Sequence, residues 1–393
     1  MTLSVESIHR DGKELMSESS MSGNASDTSG TSDASDTGDI SRTRHLTLNH
    51  LELYVPDAEA AAAGFQHQYG LSRLMTLVEP GAGFRSVALG LPRLPLLVTE
   101  GLTERHPASR FVAAHGAGVA DIALRAPDAR AAFAAAVARG AHPLSPPAAA
   151  DGGVRAAVTA FGDVAHSFVQ VPDGAAGSWV PGLGTLPAAE DSPTLLERVD
   201  HLAVCLPAGG LAPAVRFYRE VLGLRAVFEE RVEVGGQAME STAVQNAAED
   251  VTLTLLEPAA GADRGQISEF LEGNNGAGVQ HIAFATGDIA RSVTELTARG
   301  VEFLTTSGAY YDRLAARLSA DRHPLPTLRE LNILMDEDHD GRLYQIFTRS
   351  ACPRRTLFFE VIERCGARTF GSGNIRALYQ AVADERESAR ARR

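Results

Sequence analysis

Three polar side chains stand alone among apolar strand residues in the second half of the chain: His201 in RVDHLAV, His281 in GVQHIAF and Glu360 in LFFEVIE. Singly, such a histidine is more often packing than a ligand. Two neutral imidazoles and one carboxylate on one face of a divalent ion are another matter. That set leaves three adjacent positions open, which non-haem Fe(II) needs to hold a bidentate keto acid and dioxygen together. Zinc accepts the same donors, so these residues leave the metal open. Other candidates read more plainly. His9 lies in a polar N-terminal stretch, His106 precedes Pro107 in a loop, and His323 and His339 sit in polar loops. Asp336, Glu337, Asp338 and Asp340 lack the EF-hand spacing and read as a solvated turn before GRLYQIF. GSGN at 371–374 follows no nucleotide-fold strand and reads as a hinge into a last helix. No nucleophile elbow is present, and no acid or base apart from the metal centre is predicted.

The elements that must position these residues occur twice. From His45, LTLNHLELYVP alternates like a half-buried strand, stops at a proline and leads into the helical AEAAAAGFQHQYG. The pattern returns in ERVDHLAVCLPAGGLAPAVRFYREVLGL at 197–224, closed by Gly223. Likewise HGAGVADIAL (115–124) matches NGAGVQHIAF (275–284), and each precedes a helix, DARAAFAAAVARG or DIARSVTELTARG. A repeat of about 155 residues is of domain scale, not solenoid scale. The expected organisation is therefore a first domain over 45–185, a linker over 186–196, and a second domain over 197–380 with a closing helix from Asn374. A frayed terminus over 381–393 follows. Residues 17–42 are almost wholly Ser, Gly, Asp, Thr and Ala and cannot offset the entropy of ordering. Residues 1–44 are thus expected to be a disordered tail, or an over-extended start, since Met16 and Met21 lie inside it. The class is α+β with strongly curved mixed sheets.

Comparing the halves gives an internal control. His50 stands where the second half has His201, but Asp121 stands where it has His281, and no counterpart of Glu360 is visible. The first half reads as a copy of the scaffold without a complete site, with His50 and His166 structural.

Composition narrows the function classes. The 393 residues are 44% hydrophobic and 22% charged, ordinary for globular domains. With 36 basic against 49 acidic residues the net charge is −13, which repels a phosphate backbone, so nucleic acid is not an expected partner. No apolar run of 18 residues and no export signal appear, so no membrane partner is expected. Cys205, Cys352 and Cys365 form no CxxC pair, which suits a reducing, cytoplasmic setting, and Cys205 reads as packing. Oligomeric state is not legible, and a homodimer is the state entertained.

The motifs VDHLAV, GVQHIA, YQIFT, TLFFEVIER and FGSGN, in this order over 197–380, resemble the 4-hydroxyphenylpyruvate dioxygenase family of the vicinal-oxygen-chelate superfamily. The resemblance implies two tandem glyoxalase/dioxygenase-like domains, each an open curved barrel of paired βαβββ modules, the first degenerate. It implies one Fe(II) per chain on His201, His281 and Glu360, O2 as co-substrate, and an aromatic α-keto acid as substrate. Two branches share the decarboxylation and then diverge, one forming homogentisate and the other hydroxylating the benzylic carbon. Homogentisate formers typically read FGKGNF with a second Phe four residues on, and LPxNEP. This chain has FGSGNIRALY and TLTLLEP. Ile375 and Tyr379 at i,i+4 share a helix face, and Thr254 and Leu256 share a strand face. These departures resemble the 4-hydroxymandelate-forming branch, which implies a place in making hydroxyphenylglycine for peptide antibiotics. By the same resemblance Ser241, Thr254, Gln345, Phe347, Ile375 and Tyr379 contact the substrate. Gln280, expected on the opposite strand face from His281, Phe359 and Asn374 support the site from behind.

Overall fold

The structure is a computed structural model that describes residues 39–91, 94–150, 152–172, 179–186, 195–234, 236–317, 322–371 and 373–377. The expected tail up to residue 38, most of the 186–196 linker, Tyr379 and the 381–393 terminus lie outside the described residues. Residues 39–44, assigned to the tail by composition, are ordered around a 3-10 turn, Ile40–Arg42. Thr43 is buried and its hydroxyl reaches the Val221 carbonyl at 3.3 Å, a tertiary contact that composition does not reveal.

Two eight-stranded mixed sheets follow the repeat. The first contains β1 (Thr47–Tyr54), β2 (Ser72–Glu79), β3 (Phe84–Leu91), β4 (Leu94–Gly101), β5 (Gly118–Arg125), β6 (Pro143–Ala150), β7 (Gly153–Phe161) and β8 (Val164–Gln170). After a short hairpin, β9 (Trp179–Val180) and β10 (Gly184–Thr185), the second sheet begins. It contains β11 (Arg198–Cys205), β12 (Arg225–Val234), β13 (Gln237–Gln245), β14 (Thr252–Pro258), β15 (Gly278–Ala285), β16 (Leu334–Glu337), β17 (Arg342–Phe347) and β18 (Phe358–Cys365). The helices are α1 (Ala58–Tyr69), α2 (Pro107–His115), α3 (Ala129–Ala138), α4 (Leu211–Arg216), α5 (Gln266–Gly273), α6 (Ile289–Ala298), α7 (Gly308–Arg317) and α8 (Leu325–Glu330). Asp57, Asp128 and Asp288 each cap a helix, α1, α3 and α6, by accepting a backbone N–H. Among the described residues no helix is long and apolar enough to cross a membrane.

Both sheets have the same order: β2-β3-β4-β1-β5-β8-β7-β6 and β12-β13-β14-β11-β15-β18-β17-β16. Each is two four-stranded modules joined along a central antiparallel pair, β1 with β5 and β11 with β15, flanked by parallel partners. These are the tandem vicinal-oxygen-chelate domains that the motifs imply.

Two β-bulges interrupt the central pair of the second sheet. The register steps from Val199↔Phe284 to His201↔Ala283, so Asp200 is an extra residue. It then steps from Ala203↔His281 to Val204↔Val279, so Gln280 is another. A bulge re-aims side chains and lets two successive residues face the same way. The first sheet carries matching bulges at Asn49 and Ala120. The halves share one apolar core. Phe65 and Tyr69 of α1 meet Phe359 of β18 at 5.6 and 5.2 Å between ring centroids.

Register also supplies the counterpart of Glu360 that the sequence hides. Glu360 lies two residues beyond Phe358, which pairs with His281, and Ser167 lies two beyond Ala165, which pairs with Asp121. Around Ser167 a cation is present, but it is a side chain. Arg155 donates to Asp121 Oδ2 at 3.0 Å and to Ser167 Oγ at 3.0 Å, while the Ser167 N–H donates to Asp121 Oδ1 at 2.9 Å. His50, buried beside them, is held neutral, since burial lowers it to about 4. Asp121 is 2% exposed, so removing its guanidinium leaves a buried charge unpaired. Arg155→Met is expected to lower stability by about 2 kcal/mol in urea unfolding, with metal content unchanged.

Candidate metal centre and its pocket

His201 on β11, His281 on β15 and Glu360 on β18 occupy three adjacent strands at the middle of the second sheet. One ligating atom from each lies within 4.8 Å of the others. Glu360 Oε2 is 3.3 Å from His201 Nε2 and 3.4 Å from His281 Nε2, and Glu360 is only 1% exposed. Both imidazoles present Nε2 because their other nitrogens are engaged from behind. Asp200 Oδ1 is 2.9 Å from His201 Nδ1, and Gln280 Oε1 is 3.3 Å from His281 Nδ1. Those partners are the two bulge residues. The bulges thus make each candidate ligand histidine and its orienting neighbour face one way, and correct the expectation that strand parity turns Gln280 away.

Burial opposes every charge here, and the charges answer one another. Burial raises the Glu360 carboxyl, but the two imidazoles outweigh it and hold Glu360 at about 2. Burial lowers His201, but Glu360 and Asp200 outweigh it and raise His201 to about 9. His281 is pushed down, chiefly by burial. Negative charge on Glu360 thus favours positive charge beside it, the demand that a divalent cation would meet.

Behind the ligands runs a continuous hydrogen-bond chain. Gln345 Nε2 donates to Glu360 Oε1 at 2.7 Å and Asn374 Nδ2 donates to Gln345 Oε1 at 2.9 Å. The Tyr310 hydroxyl sits 2.8 Å from Asn374 Oδ1 and accepts the Met335 N–H at 2.9 Å. On the other side Arg364 donates to both Asp200 oxygens and to the Thr369 carbonyl, and its guanidinium lies over Phe370 at 5.3 Å. Phe370 meets His201 edge-on at 5.0 Å. The acidic turn is more than a solvated loop. Asp338 Oδ2 accepts the Arg368 and Thr369 N–H groups at 2.8 Å, and Asp336 Oδ2 accepts the Gly373 N–H at 2.7 Å, fixing the segment that carries Phe370 and Asn374.

The three candidate ligands open into a small pocket. Thr254, Gln280, Gln345, Phe347 and Ile375 line it with His201, His281 and Glu360. Thr254 Oγ1 and Gln266 Nε2 are buried without a hydrogen-bond partner, a costly state that a polar ligand would relieve. Ser241 is not brought to the lining. Its hydroxyl donates to the Glu230 carbonyl at 3.2 Å. Phe359 does not back the site either, because as the neighbour of Glu360 it points to the far face and packs against Phe65, Tyr69 and Phe284. Phe358, stacked on His281 at 4.9 Å, takes the role expected of it. Cys205 is buried among apolar side chains, and burial pushes its thiol up, as packing requires.

Sequence reasoning missed Asp200, Arg364, Tyr310, Gln266 and Phe370. For the first two a signal existed, an acid immediately before a ligand histidine and a base four residues after a ligand carboxylate. Gln266, at the first position of α5, carries no periodic or motif signal.

Residues 198–341 match the Glyoxalase/Bleomycin resistance protein/Dioxygenase superfamily. The chain is 30% identical to the 4-hydroxyphenylpyruvate dioxygenase of Danio rerio, covering 88% of this chain and 92% of that protein. It is 35% identical to the probable 4-hydroxyphenylpyruvate dioxygenase 2 of Aspergillus fumigatus over 70% and 72% of the two chains. Among solved structures it is similar to a triple mutant of 4-hydroxymandelate synthase from Streptomyces coelicolor. That likeness has 40% identity and a TM-score of 0.79, and covers 87% of this chain and 99% of that one.

His201→Ala is expected to abolish metal binding, read as metal content after reconstitution and gel filtration. Asp200→Asn, which keeps the shape behind His201 and removes the charge, is expected to weaken the metal about tenfold to a hundredfold in a chelator competition.

Proposed function

The chain belongs to the 4-hydroxyphenylpyruvate dioxygenase family of Fe(II)- and O2-dependent vicinal-oxygen-chelate enzymes, and from that premise we propose that it forms 4-hydroxymandelate. In this reading 4-hydroxyphenylpyruvate and O2 give 4-hydroxymandelate and CO2. The keto acid supplies the electrons, so no second organic reductant is consumed. The observation that carries the reading is the pocket wall: Thr254, Leu256 and Ile375, the departures from the homogentisate-forming pattern, all line the cavity that contains the ligands. The 40% identity to a mandelate synthase, against 30% and 35% to the dioxygenases, supports it.

His201, His281 and Glu360 would hold the iron, and the fit rests on their converging Nε2 and carboxylate atoms and on the engaged Nδ1 atoms behind them. When bound, Fe(II) supplies the centre at which the keto acid and dioxygen meet and exchange electrons. The protein's own side chains do the rest. Gln345 and Asn374 fix the Glu360 carboxylate, leaving Oε2 for the ligand position. Thr254 Oγ1 and Gln266 Nε2 offer hydrogen bonds to the substrate's polar ends. Phe347, Phe370 and Ile375 exclude water and limit how the aromatic ring can turn. Which carbon reacts is then a matter of aim, since a displacement of about 1 Å changes reactivity about a hundredfold. A product of this kind would serve a pathway to hydroxyphenylglycine.

The deciding experiment reconstitutes the protein anaerobically with Fe(II), adds oxygen and 4-hydroxyphenylpyruvate, and separates the products chromatographically, because the two candidate products are isomers. 4-Hydroxymandelate is the expected major product. Homogentisate as the major product would move the chain to the dioxygenase branch. Ile375→Phe is expected to shift the product ratio measurably toward ring attack, and an unchanged ratio at unchanged rate would remove that position from the argument.

A further inference from the structure

A second cavity, open to solvent, lies against the outside of the wall that closes the substrate pocket. Residues 373–377 form that wall. Ile375 faces the inner pocket, whereas Gly373, Arg376 and Ala377 line the outer cavity. Val234 lines the outer cavity while packing on the cluster of Met239, Leu256 and Ile267 that lines the inner one. Tyr310 lines it too, with its hydroxyl turned inward to Asn374. One layer of side chains therefore separates the two spaces.

Among the described residues, the charged groups that line the outer cavity are two guanidiniums and one carboxylate, a positive balance in a chain of net charge −13. Arg313 on α7 and Arg376 are exposed and line the cavity, and neither makes an ion pair among the described residues. Glu233, which lines the cavity, shares Arg231 with Glu240 at 2.8 and 3.0 Å, and Asp312 pairs with Arg329. Two uncommitted guanidiniums thus face a solvent-filled recess, and guanidinium is the side chain best shaped to take a carboxylate through paired N–H donors.

We infer that this recess is an anion-capture vestibule in which Arg313 and Arg376 draw in the carboxylate of the substrate before it passes the 373–377 wall. The inference rests on the keto-acid reading above and deepens it. An acidic protein repels a monoanion at long range. A local positive mouth reverses that repulsion over the last Debye length and raises the rate of capture without touching the reacting atoms.

The test uses the Fe(II)-loaded full chain and 4-hydroxyphenylpyruvate, comparing Arg313→Gln, Arg376→Gln and the double variant. At an ionic strength of about 0.02 M, each single change is expected to lower kcat/KM about threefold and the pair about tenfold, with kcat retained. Raising salt to about 0.5 M should slow the unsubstituted protein and bring all four close together. Equal kcat/KM and equal salt dependence in the double variant and the unsubstituted protein would overturn the vestibule and leave the substrate reading intact. A fall in kcat instead of kcat/KM would also overturn it, since the arginines would then act on the chemistry or the wall. An unsubstituted protein that consumes no oxygen with the keto acid would fail the substrate reading, and the vestibule with it.

Discussion

Glu360 keeps 1% of its surface in water, and a carboxylate so placed has to find its compensation within a few ångströms or take up a proton. Two imidazoles at 3.3 and 3.4 Å answer it, and they are themselves buried, so each needs an answer of its own. The requirement spreads outward through Asp200 to Arg364 and through Gln345 and Asn374 to Tyr310. Much of the irregular geometry of the second sheet serves this propagation. The extra residues at 200 and 280 put an orienting group beside each histidine where a regular strand would have put it on the other face.

The first half meets the same demand differently. At the corresponding positions it keeps His50, replaces a histidine by Asp121 and a carboxylate by Ser167, and inserts Arg155 where the second half has Gln345. A tethered guanidinium compensates the buried acid, and like-charge repulsion disfavours a divalent ion in its company. The two halves thus share the sheet order and the bulges, and the first places a guanidinium where the second gathers two histidines and a carboxylate.

The sequence made the repeat and the triad legible because both depend on local patterns. Strands alternate, three helices carry an Asp cap, and His201, His281 and Glu360 interrupt apolar runs. What it concealed depends on register. Ser167 has no motif, and only pairing across β5 and β8 identifies it. Gln280 violates parity because of a bulge, and bulges leave little trace in residue types. Phe358 and Phe359 are chemically identical neighbours, and facing alone sends one to the ligands and the other to the core between halves. Thr43 reads as part of a polar tail because composition averages over individual residues and does not register that this one is buried.

Asn374 belongs to two structures at once. Its amide steadies the residue that steadies Glu360, and its backbone lies in the short helical segment that places Ile375 over the pocket. Were that segment to lift away, it would withdraw part of the support from the carboxylate as it admitted water. Enclosure of the pocket and support of the Glu360 carboxylate thus draw on a single side chain.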